Sequence, residues 1–469
     1  MDGRYFDLMK LSQSSLKNLI VPVEIQIREF DAKLLLSCFA AEKGFKVFLG
    51  DKYEIHKAID LLPPAIYLGK ALRSSSIYKL NKSFFNPVVA WDEEGLVYYS
   101  PEIYLKRRIV PETLALLDGV FAWGQDNASL INSVNHQKIP IYVTGNPRGD
   151  LLRPEFSHFF EKETDELKRQ YGDFILINSN FAMINKVRKQ FVHSYSLPEA
   201  TAKNDIARRL NEPDLAKHRQ ALFQHFKDLL KFLGEHFPTR KIILRPHPSE
   251  NHAPWQEIAN LFPNITVVRS GNVLPWLKAC QFLIHNGCTT AVEGSMLGIE
   301  IIAYCPIASE GFDAPLPNDL SLQATNFSQL RALMVPLLEG KKLTNSDPHV
   351  REFRAIFRND HMASIETSFA SEKIVELLEN LSKNIQQRHL SWNYIKAKIA
   401  AIKTRNNKNK KHREQDDDLS REVRATNFPE ISVQEVNRRI RLFSECLNGK
   451  FDHIQAEDSI KPGVFKLSF

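Results

Sequence analysis

Short apolar runs recur along the chain, each closed by a polar or glycine-bearing loop, with amphipathic stretches between them. Leu19–Val23 predicts a first strand, Asp31–Lys43 a helix ended by Gly44, and Phe45–Leu49 a second strand. Such a start opens a doubly wound sheet. Ala65–Leu68, Pro87–Trp91, Val120–Trp123 and Ile139–Val143 continue the strands, and a helix after Trp123 takes Asp126 or Asn127 as its N-cap. Thr144–Asp150 is punctuated by Gly and Pro and reads as an interdomain linker. The pattern then restarts. Strands are predicted at Phe174–Ile177, Lys241–Leu244, Ile265–Val268, Phe282–Ile284 and Ile299–Tyr304, and helices at Ala216–Glu235, Val273–Ala279 and Ala291–Leu297, the last closed by Gly298. Further helices follow at Lys373–Asn384 and Ser432–Leu447, where Ser432 and Glu435 form a capping box. The expected class is α/β, with Rossmann-like domains over 1–150 and 151–385 and a basic linker plus helical extension over 386–469.

Size and composition narrow the class. A chain of 469 residues is too long for one core. Its 25% charged and 43% hydrophobic residues are ordinary for a globular protein, and no apolar run reaches about 18 residues. The N-terminal stretch lacks an apolar h-region, so no secretory signal is expected, and the scattered cysteines point to a cytoplasmic location. The scattered Cys38, Cys280, Cys288, Cys305 and Cys446 read as reduced thiols, with Cys288 a small loop residue more than a nucleophile. The net charge of +7 suits an anionic substrate or a membrane surface, and no nucleic-acid motif accompanies it. The basic run Lys396–Arg413, followed by Asp416–Asp418, reads as a loose linker able to contact the anionic inner membrane peripherally. Oligomeric state is left open.

Candidate chemistry clusters after the strands. The loop His285–Thr290 runs into a helix N-terminus, where backbone N–H groups and the Thr289 and Thr290 hydroxyls suit a phosphate. Asn286 and Gly287 belong to that loop, and Glu293 lies within reach of a ribose. Arg245-Pro246-His247-Pro248 ends another strand; its prolines stiffen the backbone, and Arg245 with His247 can serve the same anion. In the first half, Glu24 and Arg28 follow the first strand, and Asp92-Glu93-Glu94 crowd three carboxylates beside Gly95, an acid/base candidate.

Two Rossmann-like halves, a Gly/Pro linker, no Asp-X-Asp at a strand end and phosphate loops in the second half resemble the GT-B glycosyltransferases, whose two domains face across a cleft. Arg245–Pro248 looks like the His-Pro motif, and Cys288-Thr289-Thr290 the Ser/Thr motif, of bacterial transferases that use CMP-activated sugars: the sialyltransferases and the Kdo transferases of capsule and O-antigen assembly. Asp92–Gly95 is similar to the Glu-Asp-Gly-Phe segment of the capsule Kdo transferases; Glu94 stands where that family has Asp, and Leu96 where it has Phe. The whole, over roughly Asn18–Leu381, resembles the surface carbohydrate biosynthesis proteins of Gram-negative polysaccharide clusters.

The resemblance implies metal-independent transfer of an ulosonic acid such as Kdo from a CMP-sugar to a glycan or glycolipid acceptor, with no cofactor beyond the donor. Glu94, tuned by Glu93 or Asp92, would act at the anomeric carbon, and His247 would support catalysis. Arg245, His247, Pro248, Asn286, Gly287, Thr289, Thr290 and Glu293 would hold the nucleotide, and Glu24 and Arg28 the acceptor or the sugar carboxylate. Rival readings are a CDP-glycerol-type polyol-phosphate transferase, a UDP-sugar 2-epimerase and a non-enzymatic scaffold of polysaccharide assembly.

Overall fold

The computed structural model describes residues 17–73, 76–84, 86–185, 212–269, 271–309, 311–383 and 424–469. They form two compact units, the first within 1–93, 108–159 and 360–469, the second within 94–107 and 160–359. Each is built on its own sheet, as the α/β pattern predicts.

In unit 1 the strands β1 (Asn18–Val23), β2 (Lys46–Asp51), β3 (Ile66–Gly69), β4 (Val88–Ala90), β5 (Gly119–Ala122) and β6 (Ile141–Val143) are parallel in the order 2-1-3-4-5-6. Every residue of β1 is buried, which accounts for its unbroken apolar run. Helix α1 (Gln26–Glu42) is buried almost continuously from Glu29 to Ala41. Three consecutive leucines, Leu34 to Leu36, cannot share one helix face, so their burial requires cover on all sides. That cover comes from α2 (Pro147–Asp150), α6 (Ala370–Lys383) and α7 (Val433–Cys446).

Unit 2 carries β7 (Phe174–Asn178), β8 (Lys241–Arg245), β9 (Ile265–Val267), β10 (Phe282–His285), β11 (Glu300–Tyr304) and β12 (Leu322–Ala324), all parallel, in the order 12-11-10-7-8-9. Counted from β7 this is the dinucleotide-fold order 3-2-1-4-5-6, and chain direction across the sheet reverses between β7 and β10. Helix α3 (Glu212–His236) packs Phe226, Leu229 and Leu233 against Ile242 and Leu244 of β8. Helices α4 (Val273–Ala279) and α5 (Thr289–Met296) connect β9 to β10 and β10 to β11.

Several local expectations are corrected. The run Thr144–Asp150 is not a linker: Pro147 to Asp150 form the buried helix α2, N-capped by the Asn146 side chain on the Arg148 N–H. The helix after Trp123 starts at Gln125 with Gly124 as N-cap, while Asn127 accepts the Trp123 N–H and Asp126 lies 3.5 Å from His361. The C-terminal extension is not helical throughout. After α7, whose N-cap Ser432 accepts the Glu435 N–H as predicted, β13 (Gln455–Asp458) and β14 (Val464–Ser468) form a hairpin, and β14 pairs antiparallel with β2. Gly50 permits that pairing, because a Cβ there would lie 2.1 Å from the Gly463 carbonyl oxygen. The basic run Lys396–Arg413 and Asp416–Asp418 lie outside the described residues. No described helix is long and apolar enough to cross a membrane.

Candidate phosphate site at the strand ends of unit 2

Sheet register brings three strand ends side by side: Asn178 of β7 lies opposite Arg245 of β8 on one side and opposite His285 of β10 on the other. Loops leaving the carboxyl ends of such strands form the ligand crevice of this fold.

The loop after β8 is rigidly held. Glu250, fully buried, accepts the Ser179 hydroxyl at 2.9 Å, the N–H groups of Phe181 (2.8 Å) and His247 (3.1 Å), and the Trp255 indole N–H (3.0 Å). One carboxylate thus ties the loop after β7 to the loop after β8. Burial pushes its pKa up, against the pull of these donors. His247 is half-buried, and its Nδ1 accepts the Ser249 N–H at 3.2 Å. This places the ring proton on Nε2, which becomes a donor. Arg245 donates to the Gly271 carbonyl at 2.7 Å and lies over the Trp276 ring, 5.0 Å from its centroid; burial pushes its pKa down to about 9, which leaves it a cation at neutral pH.

The loop after β10 repeats the device. The Nδ1 of His285 accepts the Gly287 N–H at 2.9 Å, and its Nε2–H donates to Ser321 Oγ at 3.0 Å, since that hydroxyl itself donates to the Pro317 carbonyl. Burial pushes the His285 pKa down to about 3, so the ring is neutral and structural. Gly287 has φ +72°, the left-handed region that glycine enters without strain. Helix α5 then begins at Thr289, with Cys288 as an N-cap that makes no side-chain cap bond. Thr289 and Thr290 occupy its first turn, both half-buried, where helix N–H groups lack intrahelical acceptors. The Cys288 sulfur lies 2.6 Å from Thr290 Oγ1, and burial pushes its thiol pKa up, against a nucleophilic role. Glu293 is buried in the second turn of α5.

In unit 1, Asp92 and Glu93 are held by hydrogen bonds and Glu24 by ion pairs. Asp92 is fully buried and receives the Arg108 guanidinium through Nε (3.0 Å) and Nη2, while its carbonyl accepts the Trp123 indole N–H at 2.8 Å. Glu93, also buried, accepts the Trp91 indole N–H at 2.6 Å. Three carboxylates therefore do not crowd one exposed turn: two are buried and bonded in unit 1, and half-exposed Glu94 begins the 94–107 segment grouped with unit 2. Glu24 pairs with Lys52 (3.3 Å) and Lys70 (2.8 Å). Beside it Glu29 binds Lys33 at 2.7 Å and also Lys70. Burial raises the Glu29 pKa, but the two lysines outweigh it and hold the carboxyl well below its usual range. This network links the chain just after β1 to Lys70, just after the neighbouring strand β3. Arg28 lies half-buried in the first turn of α1.

Sequence reasoning passed over Glu250, His285 and Asn178. Glu250 lies three residues beyond His247 in the same RPHPSE run, and His285 two before a loop glycine. In both, a side-chain acceptor at turn spacing was the signal.

No protein-family model matches the chain, and no curated protein matches it. Solved structures do. The wall teichoic acid polymerase TagF is 12% identical, with 80% of this chain and 91% of that chain covered and a TM-score of 0.47. The UDP-GlcNAc 2-epimerase of Methanocaldococcus jannaschii, solved with UDP-GlcNAc and UDP, is 12% identical, with 77% and 99% covered and a TM-score of 0.46. The Neisseria meningitidis UDP-GlcNAc 2-epimerase is 14% identical, with 77% and 99% covered and a TM-score of 0.45. At this distance the likeness assigns no chemistry to any residue.

Proposed function

We propose that the chain is a glycosyltransferase of surface polysaccharide assembly that binds the phosphate of a nucleotide-activated sugar at the carboxyl ends of β8 and β10. The observation that carries this reading is the placement of cation, ring donor and helix N-terminus at the carboxyl ends of β8 and β10, the two strands that flank β7 in a 3-2-1-4-5-6 sheet: Arg245, the Nε2–H of His247, and Thr289 and Thr290 at the start of α5. The RPHP and Cys-Thr-Thr resemblances favour a CMP-linked donor, and within that class an ulosonic acid such as Kdo.

In this mechanism the bond between the anomeric carbon and the phosphate oxygen breaks, and CMP leaves with the electron pair. Arg245, His247 and the α5 N-terminus stabilise the charge that develops there. Glu94 acts at the anomeric carbon, as nucleophile in a retaining enzyme or as base toward the acceptor hydroxyl in an inverting one. Asp92 and Glu93 anchor the strand end that leads to it through Arg108 and Trp91. The acceptor is a glycan or glycolipid, with Glu24 and Arg28 its candidate contacts, and the basic run Lys396–Arg413 supports peripheral contact with an anionic inner membrane from the cytoplasm.

The test is thermal unfolding with CMP, CDP, UDP and GDP, on wild type and His247→Ala. CMP at about 100 times its dissociation constant should stabilise wild type by about 2.7 kcal/mol, and the variant should lose that response. A CDP preference would replace this reading with the polyol-phosphate transferase, and a UDP preference with the 2-epimerase. No response to any nucleotide would leave the scaffold.

A further inference from the structure

Asn178 is the last residue of β7 and Asn286 the first after β10, the two strands between which chain direction reverses. Both are buried, with 4% and 3% of their surface exposed. Among the described residues, neither the Oδ1 nor the Nδ2 of either carboxamide has a hydrogen-bond partner. Buried carboxamides are ordinarily bonded, and each can donate twice and accept twice. Their neighbours show what satisfied groups look like here: His285 and Glu250 use every side-chain nitrogen or oxygen they have. Two unmet carboxamides at adjacent strand ends of a switch point are the mark of a ligand contact rather than of packing.

Their chemistry also says which part of a ligand they take. An ionised phosphate only accepts hydrogen bonds; it can satisfy Nδ2 but leaves both Oδ1 atoms bare. A hydroxyl both donates and accepts, so a pair of neighbouring hydroxyls can satisfy both carboxamides. Arg245, His247 and the α5 threonines already supply the cationic and donor groups a phosphate needs. We infer that Asn178 and Asn286 form a hydroxyl-reading subsite beside the phosphate site, binding the polyhydroxyl part of the ligand. This rests on the phosphate-site reading above. Two sources share this chemistry: the ribose of the nucleotide, and the sugar or polyol that it carries.

The experiment uses the full chain and the near-isosteric variants Asn178→Leu and Asn286→Leu. Apo thermal midpoints are measured first, then affinities for CMP, 2′,3′-dideoxy-CMP and CDP-glycerol by calorimetry. With unpaired carboxamides removed, the apo midpoints should hold or rise, while affinity for a hydroxyl-bearing ligand falls on the order of tenfold. A loss seen with CMP, matched by weak binding of dideoxy-CMP to wild type, assigns the ribose. A loss confined to CDP-glycerol assigns the carried polyol. Wild-type affinities in both variants for both hydroxyl-bearing ligands overturn the subsite, as does a fall in apo midpoint of roughly 5 °C or more, which would mean that the carboxamides are bonded inside the protein. Should wild type bind no nucleotide, the phosphate-site reading fails by itself. The apo midpoints then still decide: a rise upholds unpaired, ligand-facing carboxamides and a fall refutes them.

Discussion

Glu250 gathers four donors onto one buried carboxylate, three from the loops after β7 and β8 and one from Trp255 in the helix Ala253–Ala259. Glu250→Ala should orphan all four and leave a cavity, costing about 3 kcal/mol or more, and should abolish the nucleotide response by releasing His247. Glu250→Gln keeps one oxygen and turns the other side into a donor facing donors, so it should cost about 1–3 kcal/mol. Urea unfolding followed by tryptophan fluorescence measures both, since Trp255 is one of the four partners. Equal stability of Glu250→Gln and wild type would show that the carboxyl is protonated in the fold. At this scale the candidate anion-binding residues stand out in the sequence, because Arg, His and Thr at strand ends advertise donors. The residues that aim them do not. Glu250 and His285 act through N–H groups of neighbouring backbone, and a sequence displays side chains without displaying which backbone groups lack acceptors.

Asp150 shows the same limit in an element. Its carboxylate accepts the Ala370 N–H (2.7 Å), the Ser371 N–H (2.8 Å) and the Ser371 hydroxyl (2.7 Å), capping α6 from a position 220 residues earlier in the chain. Gly, Pro and Asn in Thr144–Asp150 looked like linker composition; they serve instead to turn the chain into α2 and deliver that cap. Asp150→Ala should destabilise unit 1 by about 2 kcal/mol, and Asp150→Asn by less, read from the urea midpoint of unit 1. A variant as stable as wild type would mean that α6 docks without its cap. Most of the parallel strands in the two sheets were legible because their middle residues are buried on both faces and form short apolar runs, as in β1, β7 and β10. Strands β12, β13 and β14 were not. The first is three residues long, β13 is a polar Gln-Ala-Glu-Asp edge, and β14 alternates Lys466 and Ser468 with buried Phe465 and Leu467 beside a chain end. The alternation in β14 is a local signal, but nothing near it in sequence marks its antiparallel partner β2.

At the scale of the molecule, the two units carry buried titratable groups of different balance, and acid should separate them. In unit 2 the His285 ring is held down to about 3 by burial. Between about pH 6.5 and 3 the unfolded chain binds this proton and the fold does not, so unit 2 loses up to about 1.4 kcal/mol per pH unit as pH falls. Glu250, pushed up by burial, opposes part of that loss at the lower end. In unit 1 burial, helped by Lys52, holds His56 down to about 3, with the same sign as His285. Asp150, however, is raised to about 6 by burial; between that value and the ordinary carboxylate range near 4 the fold binds the proton first, so its contribution grows as pH falls. Below pH 6 the two groups of unit 1 offset each other, and unit 1 should stay nearly level until Glu29, whose stabilising ion pairs persist above its ordinary range, begins to protonate. Urea titrations at pH 7, 6, 5 and 4 should therefore show unit 2 weakening first. His285→Gln keeps a neutral acceptor and donor but cannot titrate, so in that variant the pH slope of unit 2 should flatten. An unchanged slope would mean that the buried ring takes a proton in the folded state, and that the loop carrying Asn286 and Gly287 opens to let it do so.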